Sequence, residues 1–332
     1  MKSKRDINSD RELSLVLGVN GQDGSYLAEI LLDKGRHVVG VGRQKDSKYV
    51  KNTGRYTYRQ LDIGTTEGLV KLLKELSPHE IFHVAAIHGA SGFNYEENWL
   101  EAHSVNTLSL HAILEYLRST GGVGSVVYLS SSKAFGLPLP VLVSEDSELQ
   151  SSCIYSITKN AATNLVNYYR DAHGISASIL WTFNHESARR GAEYFIPKVV
   201  DCLASAIVNP DYTTEVFTLN FYADWSDARE LMDIAVSASD RSLGEDFILA
   251  SGETVFARDL VKSLFSAFGL DYRNHVIEKN HGVFKLADWQ ADISKMSSML
   301  ERMPKISIYN ICLKILESNY GYDCKDKLLV TD

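Results

Sequence analysis

A tyrosine and a lysine four residues apart lie at the start of a predicted helix. Tyr155 and Lys159 would therefore share one helix face, about 6 Å apart at Cβ. A lysine ammonium favours the ionised form of a neighbouring phenol, so Tyr155 could exchange a proton with a sugar hydroxyl beside a positively charged nicotinamide. Ser131, at the end of a predicted strand, would add a hydrogen bond to the same oxygen. Tyr-Lys pairs are common by chance on surfaces, but this setting predicts reversible hydride transfer at a carbinol carbon.

Three evenly spaced glycines support that prediction. The stretch LSLVLGVNGQDGSYLA places Gly18, Gly21 and Gly24 between a predicted strand and a predicted helix. The first would allow a tight turn, the second a close approach of backbone to pyrophosphate, and the third close packing of helix on strand. The helix N-terminus would attract phosphate, and we include Gln22 and Asp23 among the cofactor contacts. The alternative is a glycine-rich turn that binds nothing.

The choice between two dinucleotides depends on the end of the second predicted strand. Arg43 there could hold a 2′-phosphate, and no carboxylate is present at that point to hold a ribose 2′-hydroxyl. This favours NADP, with NAD as the alternative because Asp46 follows closely. Asp62, after the third strand, would contact the adenine or cap the turn. We expect Ile63 and Ala85 to line the same groove.

These residues must be positioned by the regular elements of the chain. Short apolar runs predict buried strands over Leu13 to Val19, His37 to Val41, Thr57 to Leu61, Glu80 to Ala86, Ser125 to Ser130 and Ser176 to Leu180. Amphipathic spacing predicts helices over Ser25 to Lys34, Thr66 to Leu76, Trp99 to Ser119 and Ile154 to His173. The alternation predicts a doubly wound α/β domain, a parallel (Rossmann) sheet covered on both faces.

The alternation weakens after about residue 183. Helices are predicted there over Phe195 to Val208, Asp259 to Gly269 and Ile306 to Asn319. We therefore predict a disordered tail over residues 1–12, a dinucleotide-binding domain over 13–182 and a smaller substrate lobe over 183–332. Because no flexible linker separates them, we expect the lobe to be interwoven with the sheet domain, some of its segments returning to the sheet.

Composition excludes several classes of partner. The 332 residues include 34 basic and 42 acidic ones, a net charge of −8, so no positive field would attract nucleic acid or an anionic membrane. No run of apolar residues is long enough to span a bilayer, and the polar N-terminus does not resemble a signal peptide. Four cysteines without a metal-binding spacing suggest free thiols in a reducing compartment. We expect a cytoplasmic protein.

A zinc-binding pattern in the chain is expected to be accidental. His79-Glu80-Ile-Phe-His83 matches H-E-x-x-H, which needs a helix to bring both imidazoles to one metal. The stretch follows a proline and predicts a strand, on which these histidines would be about 13 Å apart. No metal site is predicted. His88, just beyond the fourth strand on the side where substrate should enter, is instead a candidate substrate contact.

Three stretches carry a resemblance to a known family. GVNGQDGSYLAE, starting at Gly18, is similar to that family's GVTGQDGSYLAE, and Asn52-Thr-Gly-Arg55 to its NTGR loop. FNHESARRG, starting at Phe183, is nearly its FNHESPRRG signature. Over roughly residues 12 to 320 the chain resembles the extended short-chain dehydrogenase/reductases, and closely the GDP-mannose 4,6-dehydratase family.

The resemblance implies a set of substrate contacts. Asn184, Arg190 and Lys198 would lie along the nucleotide diphosphate, with Glu186 in the same set. Ser131 stands where the family has its active-site threonine, and the tyrosine and lysine would be the redox pair. The family's NTGR loop reaches a neighbouring subunit's cofactor, which implies a homodimer or homotetramer. The signature also implies a GDP-linked sugar as substrate.

The departures from the family pattern bear on the reaction. Where the family has T-S-E, this chain has Ser131-Ser132-Lys133, so a lysine replaces the glutamate that abstracts the C5 proton. An ammonium cannot accept a proton, so Lys133 is a base only if burial or a nearby cation lowers its pKa. Related CDP-sugar dehydratases resemble this chain in carrying a lysine there. Ala223 and Lys285 replace arginines, which implies a looser diphosphate grip or a different nucleotide sugar.

Three functions remain open from the sequence. The first is a GDP-mannose 4,6-dehydratase-like reaction, in which Lys133 is the base and Ser132 assists the leaving hydroxyl. The second keeps only redox at sugar C4, as a dehydrogenase, a 4-keto reductase or an epimerase. The third is a non-catalytic paralogue that binds cofactor and acts as a partner or regulator.

Overall fold

A computed structural model describes residues 13–90, 92–241, 244–280 and 289–328. The predicted tail over 1–12 and Lys285 lie outside these ranges.

The centre of the molecule is a seven-stranded sheet in which every neighbouring pair is parallel. Its strands are β1 (Leu13–Leu17), β2 (His37–Gly42), β3 (Tyr56–Gln60), β4 (Glu80–His83), β5 (Ser125–Ser131), β6 (Ala177–Thr182) and β7 (Phe247–Leu249). Their order is β7-β6-β5-β4-β1-β2-β3, so the chain reverses direction across the sheet between β1 and β4. Such a reversal is where open α/β sheets bind ligands.

Helices cover both faces of this sheet and build the lobe beside it. They are α1 (Gln22–Asp33), α2 (Thr66–Leu76), α3 (Trp99–His103), α4 (Ser109–Ser119), α5 (Ile154–His173), α6 (Phe195–Val208), α7 (Ala228–Arg241), α8 (Ala257–Ser266), α9 (Ser294–Leu300) and α10 (Ile308–Tyr320). The inner strands are largely buried on both faces, and β4, β6 and β7 have no exposed residue, whereas the edge strand β3 has three. The predicted doubly wound fold is confirmed.

The predicted helices agree with the structure except in detail. A π-helical turn, Ser104–Leu108, joins α3 to α4 where one regular helix was predicted. Its Asn106 side chain bonds the backbone of Ile87 and the hydroxyl of Thr158, so the irregular turn fastens this helix to α5 and to the chain after β4. Hydrophobic periodicity carries no signal for such a turn.

The part of the chain after residue 182 divides between the sheet and the lobe. Strand β7 pairs with β6, and Leu231 and Met232 of α7 share a buried cluster with Val16 of β1. Neither element was predicted. Strand β7 has only three residues, which are too few to show a hydrophobic period. A separate apolar cluster lies among α6, α8 and α10. The lobe is interwoven as expected, and the boundary at 182/183 stays a prediction.

Short strands complete the lobe and the loops around the sheet. They are Leu142–Val143, Asn184–Glu186, Thr214–Val216, Tyr222–Ala223, Trp225–Asp227, Val255–Phe256, Val276–Glu278 and Gln290–Ala291. Asn184–Glu186 pairs in parallel with Trp225–Asp227 directly after β6, which places the chain of the FNHESARRG stretch at the carboxyl edge of the sheet. Among the described residues, no helix is long and apolar enough to cross a membrane.

Candidate active site

A cleft of about 480 Å³ opens at the carboxyl ends of the strands, at the reversal between β1 and β4. The predicted site residues that line it are Gly18, Gly21, Gln22, Asp23, Gly24, Arg43, Asp62, Ile63, Ala85, His88, Ser131, Ser132, Lys133, Tyr155, Lys159, Asn184 and Arg190. Residues far apart in the sequence therefore meet here because parallel strands end at one edge.

The glycine turn is shaped for close packing. Gly18 has φ of +97°, and a Cβ there would lie 2.8 Å from the Cα of Ala85. A Cβ on Gly24 would lie 2.3 Å from the carbonyl oxygen of Gly18. Helix α1 begins at Gln22 directly after the turn, so its free amides face the cleft. This bare backbone cradle beneath a helix N-terminus fits the pyrophosphate of a dinucleotide.

The side chains of Gln22 and Asp23 are engaged with the protein itself. Gln22 donates to the carbonyl of His185 and accepts from Ser187, and Asp23 bonds the Nε2 of His185 at 2.9 Å. Burial alone would raise the pKa of Asp23, but the charge and hydrogen bond of His185 lower it to about 2. These bonds fasten the glycine turn to the strand after β6, and the predicted contacts with a cofactor would come from the backbone.

Two predicted cofactor residues have protein partners at the rim. Arg43 forms an ion pair with Glu101, in which both side chains are about half exposed. Asp62 accepts a hydrogen bond from the amide of Gly64, which is the turn-capping alternative. Both residues also line the cleft. A 2′-phosphate would therefore share Arg43 with Glu101, and contact between Asp62 and an adenine stays a prediction.

The tyrosine and lysine are buried at the base of the cleft, where α5 packs on β5. Lys159 donates to the carbonyl of Leu129 at 2.7 Å, and its Nζ is 5.7 Å from the ring centre of Tyr155. Burial raises the pKa of Tyr155 well above its ordinary value, against a hydrogen bond with Ser131. Burial lowers the pKa of Lys159 to about 7, against the charge of Asp23. The expected phenolate is therefore not favoured by the chain alone, because desolvation outweighs the hydrogen bond of Ser131 and the charge of Arg190.

Lys133 lies over the same group of rings. Its Nζ is 5.9 Å from the ring centres of both Tyr95 and Tyr155. Burial lowers the pKa of Lys133, and the charge of Arg190 lowers it further, whereas Cys153 opposes the shift. Burial and a nearby cation are the two conditions that would let Lys133 act as a base. Both are present, and each lowers its pKa.

His88 lies between the tyrosine of the redox pair and a second tyrosine. Its ring centre is 4.7 Å from that of Tyr155, and its Nδ1 is 3.2 Å from the hydroxyl of Tyr194. Burial, followed by the charges of Lys133 and Arg190, lowers the pKa of His88 to about 3. The imidazole is therefore neutral at physiological pH. It could form a hydrogen bond with a substrate without carrying a charge.

Two predicted substrate residues are not among those lining the cleft. Glu186 is buried behind Arg190, and Lys198 lies on α6 near Glu215. Ala223, where the family has an arginine, is buried in a short strand. The predicted contacts of Glu186 and Lys198 with substrate stay predictions.

Sequence reasoning missed three residues that shape the cleft or its walls. Tyr194 stacks on His88, Tyr95 stacks on Tyr155, and Arg189 lies between the rings of Tyr26 and Tyr49 while pairing with Glu29. Arg189 belongs to the FNHESARRG stretch, which was a usable signal. The two tyrosines come from irregular segments where no spacing marks them.

The predicted strand over the H-E-x-x-H pattern is confirmed. Glu80–His83 is β4, His83 is fully buried with its Nε2 2.6 Å from the hydroxyl of Ser109, and Glu80 pairs with Arg36. Glu80 and His83 are therefore bonded inside the protein, and His79 lies just before the strand.

The family can now be assigned. A family model described as GDP-mannose 4,6 dehydratase matches residues 15–311. The chain belongs to that family. The predicted membership of the GDP-mannose 4,6-dehydratase family is confirmed with it.

Relatives of the GDP-mannose 4,6-dehydratase family match along most of their length. The GDP-mannose 4,6-dehydratase of Sinorhizobium fredii is 29% identical over 276 residues, 79% of this chain and 78% of that protein. That of Yersinia enterocolitica is 26% identical over 309 residues, 87% of this chain and 82% of that protein.

Solved structures show the same fold at lower identity. UDP-glucose 4-epimerase of Thermotoga maritima has a TM-score of 0.80 and 18% identity, covering 93% of this chain and 99% of that one. The dTDP-glucose 4,6-dehydratase of Bacillus anthracis, solved with NAD, has a TM-score of 0.77 and 15% identity over 92% and 96%. RMD of Pseudomonas aeruginosa, solved with NADPH, has a TM-score of 0.74 and 16% identity over 92% and 98%.

Proposed function

We propose that this family member is an NADP-dependent dehydratase of a GDP-linked sugar. The sugar would be oxidised at C4, lose water across C5 and C6, and be reduced at C6. The observation that carries the proposal is the position of Lys133, whose ammonium lies over the ring of Tyr155 inside the cleft and whose pKa burial lowers. A redox residue and a potential base thus face the same substrate.

The roles of the side chains follow from their positions. A bound nicotinamide dinucleotide supplies the acceptor and the donor of hydride. Tyr155 would take the C4 hydroxyl proton as a phenolate, a form that burial disfavours and that a positively charged ring held beside it would favour. Ser131 donates a hydrogen bond to the C4 oxygen as negative charge develops on it. The ammonium of Lys159 would bind the ribose of the dinucleotide. Lys133 accepts the C5 proton when neutral, and Ser132 donates to the departing hydroxyl.

A second candidate keeps the C4 chemistry and omits the elimination. It is favoured by one fact: at the position of the family's glutamate this chain carries a lysine, which is a base only in its neutral form. A C4 dehydrogenase, a 4-keto reductase or an epimerase would need only Tyr155, Lys159 and Ser131.

The cofactor and the assembly are part of the proposal. Arg43 at the cleft rim supports NADP, and solved structures of this fold hold NAD or NADPH. The loop Asn52-Thr-Gly-Arg55 is exposed, which suits a contact with a second copy in a dimer or tetramer. The cysteines at 153, 202, 312 and 324 are free thiols, which suits a reducing cytoplasm.

The decisive experiment is a product assay with GDP-mannose or a GDP-heptose and NADP. Loss of one water from the sugar nucleotide, seen by mass spectrometry, supports the dehydratase. A keto or epimeric product of unchanged hydration state supports the second candidate. Unchanged substrates across a panel of nucleotide sugars would contradict both and favour a non-catalytic paralogue.

Variants at Lys133 separate the two enzymatic candidates. We expect Lys133→Met to lose water elimination by about 10²-fold or more while C4 oxidation persists, because only the base is removed. Lys71→Met, which changes an exposed lysine of α2 away from the cleft lining, is the matched control. If Lys133→Glu instead creates or raises dehydration, the lysine was a block and the second candidate describes the natural enzyme.

A further inference from the structure

A buried carboxyl group and a cleft arginine face each other without a close bond. Glu186 is 5% exposed, and its Oε2 lies 3.8 Å from the Nε of Arg190. Among the described residues, neither of these two atoms has a hydrogen-bond partner. Buried polar atoms are nearly always bonded, so an unbonded pair inside a site indicates that something else completes it.

The guanidinium of Arg190 is positioned between this carboxyl group and the cleft. Its central carbon is 3.7 Å from the ring centre of Tyr194, and Arg190 lines the cleft while Glu186 does not. The arginine therefore separates a buried acid from the space where an anionic ligand would bind. The guanidinium of Arg190 can pair with Glu186 or with a bound anion, but it cannot fully neutralise both negative charges.

Besides Arg190, four titratable groups in the described part of the chain interact with Glu186. His185 lies on the same strand, Asp23 on α1, Cys312 on α10, and Tyr194 directly before α6. Burial raises the pKa of Glu186 to about 7, against the charges of Arg190 and His185 and with that of Asp23. The acid therefore changes charge within the physiological range.

We infer that Glu186 is a positioning residue that competes with the substrate diphosphate for Arg190, so that ligand binding is linked to protonation of Glu186. The inference rests on the proposed function, in which Arg190 contacts the diphosphate, and gives Glu186 a role other than substrate contact. With the acid neutral, the full charge of the arginine is available to an anion. With the acid ionised, its carboxylate neutralises part of that charge.

The sign of the linkage follows from the two states. An arriving diphosphate draws Arg190 away and adds negative charge, so it raises the pKa of Glu186 further. Binding then takes up a proton wherever the free protein has lost it, above a pH of about 7. Affinity is full at about pH 6 and falls as the pH rises. One pKa unit of coupling would give a decrease of about 10-fold.

The first experiment reads the carboxyl group without any ligand. Infrared difference spectra of the full chain, recorded over a pH series, follow the carbonyl band of protonated carboxyl groups. We expect a band that titrates at a pH of about 7, disappears in Glu186→Gln and remains in Glu193→Gln, a change at an exposed glutamate of the same segment. A Glu186 band that titrates only near pH 4, the ordinary value, would overturn the inference.

The second experiment measures affinity for GDP-mannose by calorimetry, in a Tyr155→Phe background that prevents turnover. We expect about 10-fold weaker binding at about pH 8.5 than at about pH 6. Glu186→Gln should bind as tightly as the parent at the lower pH and lose much less at the higher one, keeping the contributions of other titrating groups of the cleft such as His185 and Lys159. The Glu193→Gln control should behave as the parent.

The outcomes separate this inference from the proposed function. If GDP-mannose binds and Glu186→Gln has the same pH dependence as the parent, the positioning role is wrong while the proposed function stands. If no nucleotide sugar binds any variant, the proposed function fails and the linkage with it. The infrared titration would then show only whether the carboxyl group is protonated.

Discussion

Two buried glutamates at opposite edges of the sheet are held in different ways. Glu80 opens β4 at the amino edge; it pairs with Arg36 and accepts hydrogen bonds from Ser14 and Ser239. Glu186, just beyond the carboxyl edge, has its nearest cation at 3.8 Å and one oxygen without a bond among the described residues. Their exposures are nearly equal, 3% and 5%.

The difference shows at which end of the strands this fold has polar groups available to bind a ligand. At the amino edge the ion pair and the two hydroxyls complete a buried charge, which makes it a fixed part of the core. At the carboxyl edge the polar groups are buried but not matched to each other, so they are left for a ligand. Changes at the amino edge should therefore cost stability, and changes at the carboxyl edge should cost turnover or alter pH dependence.

The largest effect is expected at the carboxyl edge. Tyr155→Phe should lower kcat by about 10³-fold, because a general acid and base in the transition state is removed. Steady-state assays by cofactor absorbance measure it, and thermal melting should show little change. Tyr116→Phe, at a buried tyrosine outside the cleft, is the control and should keep its turnover. A Tyr155→Phe protein of normal activity would contradict the site.

The next effect tests the amino edge. Glu80→Ala should lower the free energy of unfolding by about 3 kcal/mol, the low end for breaking a buried pair, because Asp240 still neutralises Arg36. Urea unfolding measures it, and kcat of the folded protein should be unchanged. Glu215→Ala, at an exposed pair with Lys279, should have no measurable effect. Lost turnover without lost stability would break the comparison.

Glu186→Gln should do the opposite. The folded protein raises the pKa of this acid from 4.5 to about 7, so ionising it costs stability above pH 4.5. The amide removes that cost and should stabilise the protein by on the order of 2 kcal/mol at pH 7.5 and not at all near pH 4. Urea midpoints at the two pH values measure it. Destabilisation at pH 7.5 would place Glu186 with Glu80 as a core charge.

The smallest effect concerns the bond between the two halves of the cleft. Because the pKa of Asp23 is lowered to about 2, its charge stabilises the fold above the unfolded value and the benefit disappears as the pH falls toward 2. Asp23→Asn should cost about 1 kcal/mol at pH 7, discounted because the side chain is 22% exposed, and much less at a pH of about 2. A cost independent of pH would show that the hydrogen bond to His185, and not the charge, matters.

Most of the helices and strands could be predicted because the spacing of apolar residues within each one indicates it. Three of the predicted helices, Thr66–Leu76, Ile154–His173 and Phe195–Val208, have the predicted bounds, since an apolar face with a 3.6-residue period marks them. Strand β7 was missed because a short run such as Phe247–Leu249 becomes a strand only when β6 is there to pair with it. Helix α7 was missed although its 14 residues carry a buried apolar face.

The site divides in the same way. The glycine turn, the tyrosine and lysine pair and the serine run were found because their chemistry depends on residue type at close spacing. The fastening of Asp23 to His185 and the ring of Tyr194 against His88 join residues more than a hundred positions apart, and no local pattern predicts them.

The sequence by itself determined the dinucleotide turn, the alternation of strands and helices as far as β6 and the family, because each depends on neighbouring residues in the chain. Only the tertiary structure decided the charge states: burial keeps Tyr155 a phenol, His88 neutral and Glu186 near its point of ionisation. Desolvation depends on everything packed around a group, and that is a property of the whole fold.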